Sequence, residues 1–207
     1  MQGHPVLASI YDGFVYPAER LFYREYREWL AENLDGRVLE IGVGTGAMLP
    51  YYPPDIDLHA VEPDSYMRRQ ATKKARKLDV DIQVLDARAE YLPYRDDSFD
   101  AVVASLVFCT IPDVEKALSE VHRVLESDGE FRFLEHVRSD GIQGRVQDLL
   151  APAWYRVAGG CHLNRRTDTT IEETGTFELV ESKKLGILVP PVKPHVRGRA
   201  VPIKSRN

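Results

Sequence analysis

The chain has 207 residues, of which 43% are apolar and 29% are charged, and its formal net charge is −5. These values are ordinary for a soluble globular domain, and the mild acidity argues against broad binding of nucleic acid. No apolar run approaches the length that spans a membrane, and the first residues lack the apolar core of a signal peptide. Two cysteines are too few for a disulfide framework and fit a reducing, cytoplasmic setting. The sequence leaves the oligomeric state open.

The hydrophobic pattern alternates between helices and strands over the first two thirds of the chain. Helices are predicted over 17–34, over 65–78 and from residue 114 to a stop near Gly129. In the first helix the residues expected to share a buried face are Phe22, Tyr26, Trp29 and Leu30. Strands are predicted over 37–43, 57–63, 81–87, 100–110 and 130–137.

This alternation predicts right-handed crossovers and a parallel sheet. After about residue 138 the rhythm changes to helix and loop over 141–175. Two strands, over 177–188 and 195–203, then follow without a helix between them, which predicts an antiparallel pair at one end of the sheet. We expect a single α/β domain with a Rossmann-like, mostly parallel seven-stranded sheet and helices on both faces. Its expected parts are an N-terminal helical cap (1–35), a ligand-binding core (36–137), and a helical insertion with the closing strand pair (138–207).

Three glycines, Gly42, Gly44 and Gly46, come directly after the first predicted strand. Glycine weakens regular structure, so three together indicate that a ligand approaches the backbone here. In an open α/β sheet, ligands bind beyond the carboxyl ends of the strands. The spacing G-x-G-x-G differs from the dinucleotide fingerprint G-x-G-x-x-G. Glu40, just before the glycines, suits a cationic ligand better than a pyrophosphate.

Two further acids end predicted strands. Glu62 ends the second strand, where its carboxylate can accept hydrogen bonds from both hydroxyls of a ribose. Asp86 and Ala87 end the third strand, where Asp86 could accept the exocyclic amine of an adenine. The ligand that these residues describe combines adenine, ribose and a positive charge, without phosphate.

Together, these features resemble the class I S-adenosylmethionine-dependent methyltransferases. The resemblance covers about residues 36–137 and consists of four elements in order: the acid with its glycine loop, the acid after the second strand, Asp86–Ala87, and the run DDSFDAVVASLVFCTIPD. It implies S-adenosylmethionine as the cofactor, with the glycine loop at its methionine part, Glu62 at the ribose and Asp86–Ala87 at the adenine. Ser105, within the apolar run, joins the implied cofactor-binding residues.

The second half of the chain is similar to the membrane-associated alkyl-thiol S-methyltransferases and their microbial relatives. The similar segments are FLEHV at 133–137, APAWY at 151–155, GCHLNR at 160–165 and KPHVRGRA at 193–200. The resemblance implies a small-molecule acceptor, with a thiol first, and it leaves quinone precursors and phospholipid amines open. The animal enzymes carry a hydrophobic N-terminal anchor that this sequence lacks, so no transmembrane anchor is expected.

Three residues are candidates for a catalytic role. His136 ends the fifth predicted strand and is the first candidate for a base or a substrate contact; a supporting role at the rim is the alternative. Tyr11 precedes the first helix and could make a cation–π contact with the sulfonium, or pack against that helix. Arg165 could stabilise a thiolate or a substrate carboxylate, or it could fix a loop through backbone carbonyls.

The remaining polar candidates receive structural interpretations. Glu135 is expected to point away from the face that His136 occupies. Cys109 is predicted to be a small core residue at the end of a strand. No pair of histidines or cysteines shows the short spacing of metal ligands, so no metal site is expected. Two other functions stay open at this point: a nicotinamide-dependent oxidoreductase, and a protein that binds the cofactor without catalysis.

Overall fold

The structure is a computed structural model and describes residues 22–186 and 190–203. Its α-helices are α1 (Arg24–Ala31), α2 (Ser65–Leu78), α3 (Val114–Val124), α4 (Gly141–Val157) and α5 (Thr167–Glu173), and a short 3₁₀ helix spans Leu49–Tyr51. Its strands are β1 (Arg37–Ile41), β2 (Asp57–Val61), β3 (Gln83–Leu85), β4 (Phe99–Ser105), β5 (Leu125–His136), β6 (Phe177–Leu185) and β7 (His195–Pro202). Within these residues, no helix is both long and apolar enough to cross a membrane.

The seven strands form one mixed sheet in the order β3-β2-β1-β4-β5-β7-β6. The first five strands pair in parallel, whereas β7 lies between β5 and β6 and runs antiparallel to both. The predicted fold class and the antiparallel strand pair at one end of the sheet are therefore confirmed. From β1 the chain builds outward to β3 and then returns to β4 on the other side of β1. This reversal makes the carboxyl ends of β1 and β4 the switch point, where ligands of such sheets bind.

Helices cover both faces of the sheet, because successive strand residues point to opposite sides. Leu39 of β1 belongs to a buried cluster that includes Leu118 of α3 and Ile171 of α5. Its neighbour Val38 belongs to a second cluster, which includes residues of α1 and α2 on the other face. The parallel strands are thus buried on both sides, which explains their nearly continuous apolar sequences.

Helix α2 has the bounds that its sequence predicts, and its ends are capped. The Asp64 side chain accepts hydrogen bonds from the backbone N–H groups of Tyr66 and Met67. At the other end, Asp79 adopts a left-handed conformation with φ of 56°. This N-terminal cap fixes the path of the chain as it leaves β2 for the helix.

The first helix matches its predicted buried face except at its start: Leu30 is buried, and Tyr26 and Trp29 pack partly buried against the core. Phe22 is 42% exposed, whereas Tyr23 and Leu30 are buried and Arg27 is buried between them. The side chain of Tyr23 is held inside by a 2.7 Å hydrogen bond between its hydroxyl and Nε2 of His195. This contact is long-range, so the local apolar pattern could not indicate it. Residues 17–21 of the predicted helix lie outside the described residues.

The segments on either side of α3 also depart from their predictions. The helix ends at Val124 rather than near Gly129, and β5 begins at the next residue because Leu125 already pairs with Phe99 of β4. Strand β4 ends at Ser105, and the chain then turns, with the Thr110 N–H donating to the Val107 carbonyl at 2.9 Å. Cys109 therefore lies in a turn beyond β4 instead of at the end of a strand.

Candidate active site

The glycine loop lies at the switch point, directly after β1. All three of its glycines have positive φ: 66° at Gly42, 55° at Gly44 and 83° at Gly46. A Cβ atom at Gly42 would lie 2.2 Å from Cγ2 of Val107, so this glycine lets the loop pack against the turn after β4. A Cβ atom at Gly44 would meet nothing nearer than the Gly42 carbonyl oxygen at 4.0 Å. The backbone of Gly44 therefore borders open space that a ligand can occupy.

Glu62 follows β2 and holds the glycine loop in place. One of its carboxylate oxygens accepts the Gly44 N–H at 3.0 Å, and the other accepts the Asp64 N–H at 2.8 Å. Burial raises the pKa of this carboxyl, while the two N–H donors act in the opposite direction. Each carboxylate oxygen has a second lone pair, so Glu62 can still accept hydrogen bonds from a ligand.

Asp86 and Ala87 follow β3 at the same edge of the sheet. The Asp86 side chain is 69% exposed and accepts a 2.8 Å hydrogen bond from Nη2 of Arg68. Nη1 of Arg68 donates to the Glu62 carbonyl at 2.6 Å, so this arginine joins the ends of β2 and β3. Ala87 packs partly buried against the core. Arg68 belongs to a charge run that resembles an ordinary solvated helix face, and only the fold reveals its position in the site.

Two buried polar atoms lack a hydrogen-bond partner within the described part of the chain and lie at the ends of adjacent strands. They are Oε2 of Glu40, in β1, and Oγ of Ser105, the last residue of β4. Burial raises the pKa of Glu40 to about 7. The Tyr52 hydroxyl and the charge of Arg27 act in the opposite direction and lower this pKa. A cationic ligand would stabilise the buried carboxylate further.

The turn after β4 is held by Glu135 of β5. Oε1 of Glu135 accepts the N–H groups of Val107 and Phe108 at 2.9 and 3.0 Å. Leu106, the first residue after β4, has φ of 57°, which residues with a side chain rarely adopt. Strained backbone of this kind is concentrated at functional sites. Glu135 is fully buried, and through these two hydrogen bonds it supports the turn. The sequence carries no local signal for this role.

Next to this turn, the structure brings together three residues that lie far apart in the sequence. Nε2 of His136, the last residue of β5, is 3.1 Å from Sγ of Cys161. One ligand atom each of Cys109, His136 and Cys161 lies within 4.8 Å of the other two, and all three residues are buried. The hydrogen bond with Cys109 and the contact with His136 lower the pKa of Cys161. The same hydrogen bond between the two cysteines raises the pKa of Cys109. The expectation of no metal site rested on short-range spacing, which cannot detect such a cluster.

Arg165 lies beside the cluster and binds the turn from the other side. Its Nη1 donates to the carbonyl oxygens of Phe108 and Ile111. Its own carbonyl accepts the Arg138 N–H at 2.8 Å. These contacts are those of the loop-fixing alternative, and a contact between Arg165 and a substrate stays a prediction. Tyr11 lies outside the described residues, so its proposed role is also untested.

Comparison with known proteins agrees with this geometry. Residues 39–133 match the profile of a family described as a methyltransferase domain. Thiol S-methyltransferase TMT1B of Rattus norvegicus is 32% identical over 189 residues, which cover 88% of this chain and 78% of that protein. Thiol S-methyltransferase TMT1A of Homo sapiens is 30% identical over 202 residues, which cover 93% and 81%.

Among solved structures, the YcgJ protein of Bacillus subtilis superposes with a TM-score of 0.70. That match covers 88% of this chain and all of the other, at 18% identity, and so supports the fold alone. The chain belongs to the S-adenosylmethionine-dependent methyltransferases. Within this class it is similar to the thiol S-methyltransferases, and its methyl donor is S-adenosylmethionine. This membership sets aside the oxidoreductase alternative.

The described residues fit that cofactor. Open space at Gly44 gives room for a ligand against the backbone, and Glu62 retains lone pairs for ribose hydroxyls. The unpaired oxygens of Glu40 and Ser105 lie at the end of the sheet where an ammonium group could satisfy them. Three of the side chains described at this edge are carboxylates, Glu40, Glu62 and Asp86, and the Arg68 guanidinium is bound to Asp86 and the Glu62 carbonyl, which suits a phosphate-free cationic nucleoside.

Proposed function

We propose that this enzyme transfers the methyl group of S-adenosylmethionine to the sulfur of a small alkyl thiol. The observation that carries the proposal is the position of His136 at the end of β5, within hydrogen-bonding distance of a sulfur atom. The Cys161 sulfur already lies beside the His136 imidazole at this edge of the sheet. The same edge borders the turn after β4, which packs against Gly42 of the glycine loop. The rat and human relatives, which are thiol S-methyltransferases, support the same acceptor.

The cofactor is proposed to bind along the carboxyl ends of β1 to β4. The glycine loop and Glu40 would hold its methionine part, with Ser105 nearby, and Glu62 would bind the ribose hydroxyls. Asp86 and Ala87 would border the adenine. S-adenosylmethionine supplies a methyl group on a sulfonium sulfur, which a nucleophile displaces in line. The protein residues then have to position the acceptor and keep water out.

A thiol reacts as its thiolate, so the site has to promote the loss of one proton. At the carboxyl ends of β4 and β5, which we call the acceptor edge of the sheet, His136 can assist this step, either as a base or by stabilising the thiolate. Arg165 holds the adjoining turn and brings a positive charge close to the two cysteine sulfurs. Cys109 and Cys161 are both free thiols, which supports a reducing compartment such as the cytoplasm.

The test is a comparison of three acceptors with the same carbon chain: a thiol, an alcohol and a primary amine. Release of S-adenosylhomocysteine is followed for each acceptor. We expect turnover with the thiol and background rates with the other two. His136→Gln should lower kcat for the thiol at least about 100-fold, the usual size of such a contribution, with little change in cofactor affinity. His122→Gln is the matched control, since His122 lies on α3 and contacts Phe177.

Faster methylation of the amine or alcohol would contradict the thiol assignment. A protein that binds the cofactor tightly and methylates none of a broad acceptor panel would instead be a non-catalytic binding protein. A panel that includes a quinone precursor and phospholipid vesicles covers the two other acceptor classes that the sequence leaves open.

A further inference from the structure

We infer that Cys109, His136 and Cys161 form a binding site for a zinc ion at the acceptor edge of the sheet. The three residues come from the turn after β4, the end of β5 and the loop after α4. Their relative exposures are 4%, 3% and 8%, so the ligand atoms are shielded from solvent. Two thiols and an imidazole are a donor set that zinc favours.

The distances are close to those of a metal site. With Zn–S bonds of about 2.3 Å and a Zn–N bond of about 2.0–2.1 Å, tetrahedral geometry places the ligand atoms about 3.6–3.8 Å apart. The ligand atoms here lie within 4.8 Å of one another, and the Nε2–Sγ distance between His136 and Cys161 is 3.1 Å. Side-chain adjustments of about 1 Å or less would bring all three to bonding distance of one ion.

The backbone holds the three segments together without using the ligand atoms. The N–H of His162 donates to the Cys109 carbonyl at 2.8 Å, which joins the two cysteine segments directly. Glu135, next to His136, binds the turn that leads to Cys109 through two N–H groups. Arg165 binds the carbonyl oxygens on either side of Cys109. The site is therefore organised in advance, which lowers the conformational cost of binding an ion.

Charge balance also favours a divalent ion. Two thiolates and one neutral imidazole neutralise Zn²⁺, so the occupied cluster carries no net charge in its buried surroundings. The ionisable groups nearby are the Arg165 guanidinium and the Glu135 carboxyl, whose pKa burial raises to about 7. His195 pairs with His136 across β5 and β7, and its Nε2 binds the Tyr23 hydroxyl at 2.7 Å, but it is not among the residues whose ligand atoms lie within 4.8 Å of one another.

The described residues supply three ligands, and three protein ligands with one open position are typical of catalytic zinc sites. If the proposed function holds, the acceptor thiol would occupy the fourth position. Coordination to zinc lowers the pKa of a thiol, so the S–H bond breaks and the proton passes to solvent. The thiolate sulfur then forms a bond to the methyl carbon while the sulfonium C–S bond breaks, and its electron pair stays on the leaving sulfur. Zinc keeps its oxidation state, and His136 acts as a ligand rather than a base.

The first experiment measures metal content and needs neither cofactor nor acceptor. The full chain is purified in a phosphine reductant, without chelators and without a histidine tag, and zinc is measured by mass spectrometry. We expect one zinc ion per chain. Cys161→Ser and His136→Gln should each weaken zinc binding more than about 100-fold. This loss exceeds the roughly 10- to 100-fold that is typical when a residue hydrogen-bonded to a metal ligand is replaced. His122→Gln should retain the metal.

Cobalt reports the ligands themselves. Titration of the zinc-free protein with Co²⁺ should produce a thiolate-to-cobalt charge-transfer band and the visible bands of a tetrahedral ion. Addition of a small alkyl thiol should strengthen the charge-transfer band, whereas the matching alcohol should leave it unchanged. Thermal melting and calorimetry with S-adenosylmethionine identify any variant that has simply failed to fold.

Absence of zinc together with absence of the cobalt bands in folded wild-type protein would overturn the metal site. Cobalt bands that do not change when the thiol is added would show that the acceptor thiol does not occupy the fourth coordination position, and they would leave the metal site standing. Thiol methylation by protein that is demonstrably free of metal would refute the part assigned to zinc in the reaction while the proposed function survives. Zinc binding without thiol methylation would refute the proposed function and leave the metal site standing. Failure of the metal site and failure of the proposed function therefore give different results.

Discussion

Replacement of Glu62 by alanine should weaken the binding of S-adenosylmethionine by about 1.5–3 kcal/mol, the worth of hydrogen bonds to a charged group. That free energy corresponds to an increase in Kd of about 10- to 150-fold. The magnitude follows from the position of the side chain, which is 6% exposed and follows β2 at the switch point. Its two oxygens already orient the Gly44 and Asp64 N–H groups, and their remaining lone pairs are available to the ribose.

The same substitution also removes the partners of two backbone N–H groups, and each such group costs about 1–3 kcal/mol if it stays buried and unpaired. Removal of a buried carboxylate whose pKa is raised offsets part of this loss in the free protein. Cofactor affinity and thermal stability therefore have to be measured separately, by calorimetry and by melting. Glu62→Gln keeps one oxygen acceptor and should fall between wild type and Glu62→Ala in affinity.

Asp57→Asn is the matched control, because Asp57 begins the same strand and lies at the opposite edge of the sheet. Its affinity for the cofactor should equal that of wild type. An unchanged Kd in folded Glu62→Ala would show that Glu62 does not contact the cofactor.

Three further predictions concern the cofactor loop and the core. Gly44→Val should abolish cofactor binding measured by calorimetry. Gly175→Val, at a position with similar φ and equally open space, should retain binding. Equal loss of binding in the two variants would mean that backbone strain alone is responsible. If Glu40 binds the cofactor's ammonium group, affinity should fall about fivefold from pH 7 to pH 6, because a carboxyl with a pKa of about 7 becomes protonated over that range. The ligand-free fold should show the opposite trend and lose stability as the pH rises from 4.5 towards 7, since the folded-state pKa is raised, and Glu40→Gln should reduce both effects. Leu118→Ala should lower the free energy of unfolding by about 2–5 kcal/mol in denaturant titrations, because the side chain is fully buried against the sheet; a loss below about 1 kcal/mol would contradict this packing.

The sequence predicts the elements whose signals are local. Helix α2 has the predicted bounds because its helical stretch lies between Asp64 at the N-cap and Asp79 in a left-handed conformation. The antiparallel arrangement of β6 and β7 follows from the absence of a helix between the two segments. The glycine loop is recognisable for the same reason, since its strand, its acid and its glycines are consecutive.

Long-range contacts decide the features that the sequence does not predict. Strand β5 starts at Leu125 because β4 offers it a partner there, and no pattern within the segment indicates this early start. Tyr23, just before α1, is buried in place of Phe22 because it meets His195 near the other end of the chain. Strand and helix ends of this kind are fixed by tertiary pairing rather than by local propensity.

The acceptor side of the site shows the same limit. His136 is identifiable because it ends a strand of the parallel sheet, but its partners Cys109 and Cys161 lie in separate turns. A search for closely spaced metal ligands therefore misses them. His136 ends β5 and Cys109 follows β4, and the adjacency of these two strands becomes informative only once the strand order is known.

The most direct test of the account is a single-turnover reaction with methyl-labelled S-adenosylmethionine, enzyme in excess, and a small alkyl thiol added together with the alcohol of the same chain length. Mass spectrometry then locates the label. If the enzyme is a thiol methyltransferase, the label appears on sulfur, as the thioether, in step with the formation of S-adenosylhomocysteine. Label on the alcohol, or intact cofactor that stays bound beside an unmodified thiol, would contradict it.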